Sequence, residues 1–132
     1  MIALDTNVLV RFIVEDDSKQ TERAKRLIRK QVEGDTPCFV SDVVLCELVW
    51  VLQSSYKVRR PQTAQVLESL LRARHLVFES TDRISRAIKS YRVGKGDFAD
   101  YVIREQSMDA GAEAVATFDE DLLRDAGFMD VR

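Results

Sequence analysis

Asp5, Glu47, Asp100 and Asp119 are carboxylates set in stretches of sequence that are otherwise apolar. Asp5 follows the run Met1–Leu4 and Asp119 follows Ala114–Phe118, two short apolar runs that read as buried parallel strands. Ligands of open α/β sheets bind beyond the carboxyl ends of strands, so both acids stand where chemistry would be placed. Either could equally cap the helix that follows it. Glu47 is the only charge between Val43 and Leu52. A helix there predicts it among Val43, Val44, Trp50 and Val51, and a buried, unpartnered carboxylate is costly. Such a charge calls for an arginine elsewhere, Arg11 for example, or for a function. Asp100 interrupts the apolar group Phe98-Ala99-Tyr101-Val102-Ile103. Asp97, three residues earlier, points to a similar side and reads as the cap of the same helix.

Carboxylates brought together repel one another and favour a proton or a bound cation. Oxygen-only ligands suit Mg²⁺ or Mn²⁺ and argue against zinc. One or two such ions can lower the pKa of a water and offset charge on a phosphoryl oxygen, which is the chemistry of phosphodiester hydrolysis by an activated water. Thr6, Asn7, Ser41 and Thr117 neighbour these acids or the strand ends, where they could orient carboxylates or bound water. Turn and capping roles suit them as well. His75 is the lone histidine, and the sequence has no GxSxG elbow, Walker A loop or GxGxxG turn.

The elements that must position these acids alternate. Strands are expected at Met1–Leu4, Cys38–Val40, Leu76–Phe78 and Ala114–Phe118, with an edge strand at Met129–Val131. Helices are expected over Val8–Ile13, Ser18–Val32, Val43–Leu52, from Arg59-Arg60-Pro61 to about Arg74, from Ser80 to about Tyr91, and over Phe98–Met108, with a short last helix opened by Asp119. Ser18–Val32 should turn Ala24, Leu27, Ile28 and Val32 inward, and Val43–Leu52 should be deeply buried. Val93-Gly94-Lys95-Gly96 reads as a mobile loop. Alternation of this kind implies a parallel sheet with helices on its faces.

With 132 residues, 45% hydrophobic and 32% charged, the chain suits one domain, residues 1–132, with its own core. A net charge of −2 argues against a surface that binds nucleic acid throughout, but leaves room for a local basic stripe. Lys19, Arg23, Arg26 and Lys30 share one helix face, and Arg83, Arg86 and Lys89 recur on another; both also suit plain solvated faces. Lys95, in the loop that leads to Asp97 and Asp100, is the candidate contact to substrate. Cys38 and Cys46 form no metal or redox motif and read as buried thiols, in keeping with a cytoplasmic protein. The first residues do not resemble a secretion signal, and no apolar run is long enough to cross a bilayer. Trp50, Leu52 and Tyr56 offer apolar surface that could serve a dimer or partner interface.

Leu4-Asp5-Thr6-Asn7-Val8-Leu9, Ser41-Asp42-Val43-Val44-Leu45-Cys46-Glu47-Leu48, Gly96-Asp97-Phe98-Ala99-Asp100-Tyr101-Val102-Ile103 and Thr117-Phe118-Asp119-Glu120-Asp121 resemble, in order, the four motifs of the PIN-domain family. Within it they are similar to the VapC-type toxins. The resemblance implies a three-layer α/β/α sandwich on a five-stranded parallel sheet. It implies an Mg²⁺- or Mn²⁺-dependent endoribonuclease, a homodimer and an antitoxin partner that blocks the site. It maps the family's acids onto Asp5, Glu47, Asp100 and Asp119, with Asp97 as an auxiliary and Asp121 less directly matched.

Two other readings compete. A PIN-like scaffold that has lost catalysis would bind partners without needing the cation. A receiver-type signalling domain also places aspartates, a threonine and Mg²⁺ at strand ends. It would need an acidic pair after the first strand, where this chain has the single Asp5 before Thr6-Asn7.

Overall fold

The computed structural model describes residues 1–131. It divides into two compact units, Met1–Glu79 and Ser80–Arg132. The first contains β1 (Ile2–Ala3), α1 (Thr6–Val14), α2 (Ser18–Glu33), β2 (Cys38–Val40), α3 (Asp42–Ser54), α4 (Arg60–Arg72) and β3 (Leu76–Phe78). The second contains α5 (Thr81–Val93), α6 (Phe98–Asp109), β4 (Val115–Thr117), a 3₁₀ turn at Leu122–Arg124 and β5 (Phe128–Asp130). The α/β class and the element order agree with the sequence reading.

In the first unit β1, β2 and β3 form a parallel sheet in that order, with Ile2 opposite Cys38 and Cys38 opposite Leu76. Cys38 and Val40 turn to the buried side, and α1 packs on α2 and α3. In the second unit β4 and β5 pair in parallel, Val115 opposite Phe128, while α5 packs on α6 and α6 on β4. Among the described residues five strands are therefore present and every pairing is parallel, but they fall into a three-stranded and a two-stranded sheet rather than one sheet of five. Strands of two or three residues carry very few ladder donors, so the apolar runs overstated the length of chain that pairs.

Local chemistry explains the helix starts. Asp5 accepts from Thr6 N at 2.8 Å, Ser41 Oγ from Val44 N at 3.2 Å, and Ser80 Oγ from Arg83 N at 3.1 Å. Each satisfies a donor that the first helical turn leaves without an intrahelical partner. Pro61 sits in the first turn of α4, where its missing N–H costs nothing.

Two helix faces differ from expectation. In α3, Leu45, Leu48, Val49 and Leu52 are buried, but Val43 and Trp50 are 65% and 69% exposed. An apolar run shows no face, and this helix buries one side only. In α2, Ala24 and Ile28 are buried with Thr21, whereas Leu27 is 37% exposed. The glycine loop also differs, because Gly96 is buried. A Cβ on Gly94 would lie 1.9 Å from Tyr101 Oη, and one on Gly96 would lie 2.4 Å from Leu122 Cδ2. These contacts demand glycine for close approach rather than for freedom of motion.

Candidate active site

In the first unit the acids gather at the carboxyl ends of the strands. Asp5 lies two residues beyond β1, Asp42 opens α3 after β2, and Glu79 directly follows β3. Glu79 Oε2 accepts from Asp42 N at 2.6 Å, a carboxylate set on a helix N-terminus where the dipole favours it. Asp42 itself is fully buried. Sequence reasoning missed Glu79 as a site residue. Its signal was positional: it stands after its strand much as Asp5 stands after its own.

Glu47 is exposed, on the same stripe of α3 as Val43 and Trp50. The argument that burial forces a role on Glu47 is therefore corrected, since water can solvate that carboxylate. Arg11 does not pair with it. The Arg11 guanidinium is engaged by Asp16 at 2.7 Å, Gln20 at 2.6 Å and Tyr56 at 3.0 Å, and the Tyr56 contact and the Asp16 charge keep it firmly cationic. Glu47 still acts on its neighbour: burial, then Asp42, then Glu47 push the Cys46 thiol up to about 11. Cys46 is thus held as an inert thiol.

Thr6 stands beside Asp5, 6% exposed, and its hydroxyl oxygen is buried with no hydrogen-bond partner among the described residues. A buried, unsatisfied hydroxyl is uncommon and fits a site whose remaining ligand is water or an ion. Ser41 spends its oxygen on capping α3. Asn7 is exposed and lines an open groove of about 450 Å³ with Val8, Arg11, Gln20, Arg23, Ala24 and Leu27.

In the second unit Asp97, Asp100 and Asp119 form a coupled set. Asp100 Oδ2 accepts from Asp97 N at 2.8 Å, closing the first turn of α6. Thr117 Oγ1 accepts from Asp119 N at 3.0 Å, and Asp119 Oδ1 accepts from Asp121 N at 2.9 Å. Thr117 therefore shapes the turn that presents Asp119, and Asp121 contributes a backbone donor to it. Burial raises the Asp100 carboxyl above its ordinary value. The Asp97 backbone N–H pulls it down, while the negative charges of Asp97 and Asp119 push it further up.

Tyr101 pins the loop that leads into Asp97, and nothing local in the sequence pointed to it. Its ring is fully buried on α6. Its hydroxyl accepts from Gly96 N at 3.0 Å, just before Asp97, and donates to Asp125 Oδ2 at 2.6 Å, just after the 3₁₀ turn. Arg104, 9% exposed, reinforces the arrangement. It stacks over the Tyr101 and Phe128 rings at 5.2 and 5.7 Å, donates to Ala126 O at 3.1 Å and pairs with Glu105 at 2.9 Å. Lys95 is exposed on the glycine loop.

Within either unit, no group of three or more His, Cys, Asp or Glu among the described residues is arranged to hold a metal ion. The donors present nevertheless fit a hard cation. In the first unit the Thr6 hydroxyl, without a partner among the described residues, lies beside the Asp5 carboxylate; in the second, burial and like charges bear on the Asp100 carboxylate. Mg²⁺ keeps several waters and asks few carboxylates of a protein. No helix is long and apolar enough to cross a membrane among the described residues.

A family model described as "PIN domain" matches residues 2–128. A "VapC ribonuclease" from Aquifex aeolicus (strain VF5) is 29% identical over 118 residues, which cover 89% of this chain and 87% of that protein.

Proposed function

The chain belongs to the PIN-domain family, and from that membership we propose that it is a metal-dependent endoribonuclease acting as the toxin of a type II toxin–antitoxin pair. The observation that carries the reading is the Asp97–Asp100–Asp119 set, in which burial and then the two neighbouring charges disfavour the ionised form of Asp100. Like charges set around a part-buried carboxyl are suited to a cation. The similarity to a VapC ribonuclease over most of both chains supports RNA as the substrate and an antitoxin as the partner.

In this reading Asp5, Glu47, Asp100 and Asp119 hold one or two Mg²⁺ or Mn²⁺ ions, with Asp97 auxiliary. The bound ion lowers the pKa of a water and offsets charge on the phosphoryl oxygens. The chain's own residues do the rest. Asp5 is held by its cap to Thr6 N, and the Thr6 hydroxyl beside it is left to order water. Thr117 sets the turn of Asp119, and Tyr101 fixes the loop that leads into Asp97 and Asp100. Lys95 stands ready to meet a phosphate at the edge of that loop. The exposed Val43 and Trp50 offer α3 a surface for a second copy in a homodimer, and the protein acts in the cytoplasm.

The test is cleavage of a mixed RNA pool by the purified, antitoxin-free chain with Mg²⁺ or Mn²⁺, with EDTA, and with Asp5→Asn. Cleavage is expected with either metal and is abolished by chelation and by the substitution. Metal-independent cleavage, or full activity of Asp5→Asn, would overturn the assignment. A folded chain that cuts nothing would point instead to a binding scaffold.

A further inference from the structure

We infer that the exposed face of α2 is the track along which a single-stranded stretch of RNA lies on the first unit; this rests on the nuclease reading for the identity of the polyanion. The charge distribution leads to it. Helix α2 carries six basic and two acidic side chains, a net of +4, in a chain whose total is −2, so the remaining residues sum to −6. Lys25 is paired with Glu15 at 2.7 Å. Lys19, Arg23, Arg26, Arg29 and Lys30 have no ion-pair partner among the described residues. A cationic helix face left unneutralised in an acidic chain is complementary to a polyanion.

The shape agrees. Lys19, Arg23, Arg26 and Lys30 recur at helical spacing and share one face. Two open grooves meet at Arg23. One runs to Asn7, two residues beyond Asp5, and the other is lined by Ser18, Lys19, Glu22 and Arg26. The first groove has a strip of Val8, Ala24 and Leu27 with Arg11, Gln20 and Arg23 along it. Arg11 is already paired with Asp16, so Arg23 and the cations beyond it face the phosphates, and the apolar strip beside them suits a strand whose unpaired bases can turn onto the protein, as a duplex cannot. Glu22 is the one acid among the groove residues, and it interrupts the track without cancelling it. Within this unit the track ends beside the motif that carries Asp5.

Binding is read without cleavage, in EDTA, by fluorescence anisotropy of a labelled single-stranded RNA of about a dozen nucleotides, using the full chain. Arg23→Glu with Arg26→Glu is expected to weaken binding about tenfold or more. Arg23→Gln with Arg26→Gln is expected to weaken it less and to reduce the slope of log Kd against log salt by about 1.4, two phosphate contacts' worth for a single strand. Arg74→Glu, an exposed cation between α4 and β3, is the charge control and should change little. Both α2 pairs are exposed, and matching circular dichroism will show them folded. RNA affinity unchanged in both α2 pairs, or reduced no more than in the control, would overturn the inference and would suit a face that serves an acidic protein partner instead. The two readings fail separately. A chain that binds RNA through α2 but cuts none with metal added removes the nuclease alone. A chain that cuts RNA, yet whose α2 pairs bind as the parent does, removes the track alone.

Discussion

The two units hold their acids in different ways. In the first, Asp5 is fixed by one bond to the adjacent residue, and Glu47 stands on an exposed helix stripe with Val43 and Trp50. In the second, Tyr101 pins the loop that leads into Asp97 and Asp100 between Gly96 and Asp125, with Arg104 over its ring, while Asp119 sits in a local turn with Thr117 and Asp121. Acids held by local caps tolerate change around them, since a cap needs only its own helix. The loop before Asp97 depends, through a buried hydroxyl and a buried guanidinium, on groups more than twenty residues away, and burial together with the charges of Asp97 and Asp119 raises Asp100. The second unit should therefore react to single substitutions far more than the first.

The largest effect on stability is expected from Arg104→Met. It keeps the packing volume but strips the buried Glu105 of one of its two arginine partners, at a cost of about 3 kcal/mol in denaturant unfolding. A loss no larger than that of a surface substitution would break the contrast. Tyr101→Phe should cost less, about 1–2 kcal/mol, because it removes the acceptor of Gly96 N and the donor to Asp125 while leaving the ring in place. In the cleavage assay the same variant should lower the rate and raise the metal concentration needed. Its stability loss without any change in metal requirement would mean the bridge is structural only.

Asp100→Asn sharpens the comparison through pH. A carboxyl whose folded pKa is raised favours the folded state fully below its unfolded value, and that contribution is lost as pH rises through the folded value. At neutral pH ionised Asp100 therefore weakens the fold, and Asn, which can still accept from Asp97 N, should raise Tm there. The gain should disappear as pH falls below the ordinary aspartate value of 3.8, and Mg²⁺ should raise the Tm of the parent more than that of the variant. A gain independent of pH would show that repulsion is not its cause. The smallest effect is expected from Asp5→Asn on stability, within about 0.5 kcal/mol, because asparagine caps a helix as well as aspartate does. Its loss of cleavage with an unchanged melting curve would separate the chemical role of Asp5 from its cap.

Much of the molecule was legible from local pattern. Helix starts at Asp5, Ser41, Ser80 and Asp97 were read from capping residues, because a cap involves groups only one to three positions apart. Strand positions followed from short apolar runs, with Asp5 and Asp119 singled out at the ends of two of them and Glu47 and Asp100 as charges interrupting apolar helix sequence. Glu47 was read for the wrong physical reason, since an apolar helix sequence does not show which stripe meets solvent. The loop at Gly94 and Gly96 was read as mobile because glycine permits motion, whereas here it permits Tyr101 to come close.

The sequence by itself determined the order of the elements, their caps, the parallel pairing and the positions of the acids, since all of these rest on interactions between near neighbours or on hydrophobic periodicity. Tertiary structure alone decided that the five strands of the described residues fall into two sheets, that Glu79 serves the start of α3, that Tyr101 and Arg104 brace the loop before Asp97, and which face of α3 meets water. Those depend on contacts across fourteen to thirty-seven residues, and a chain's local pattern carries no term for a partner that far away.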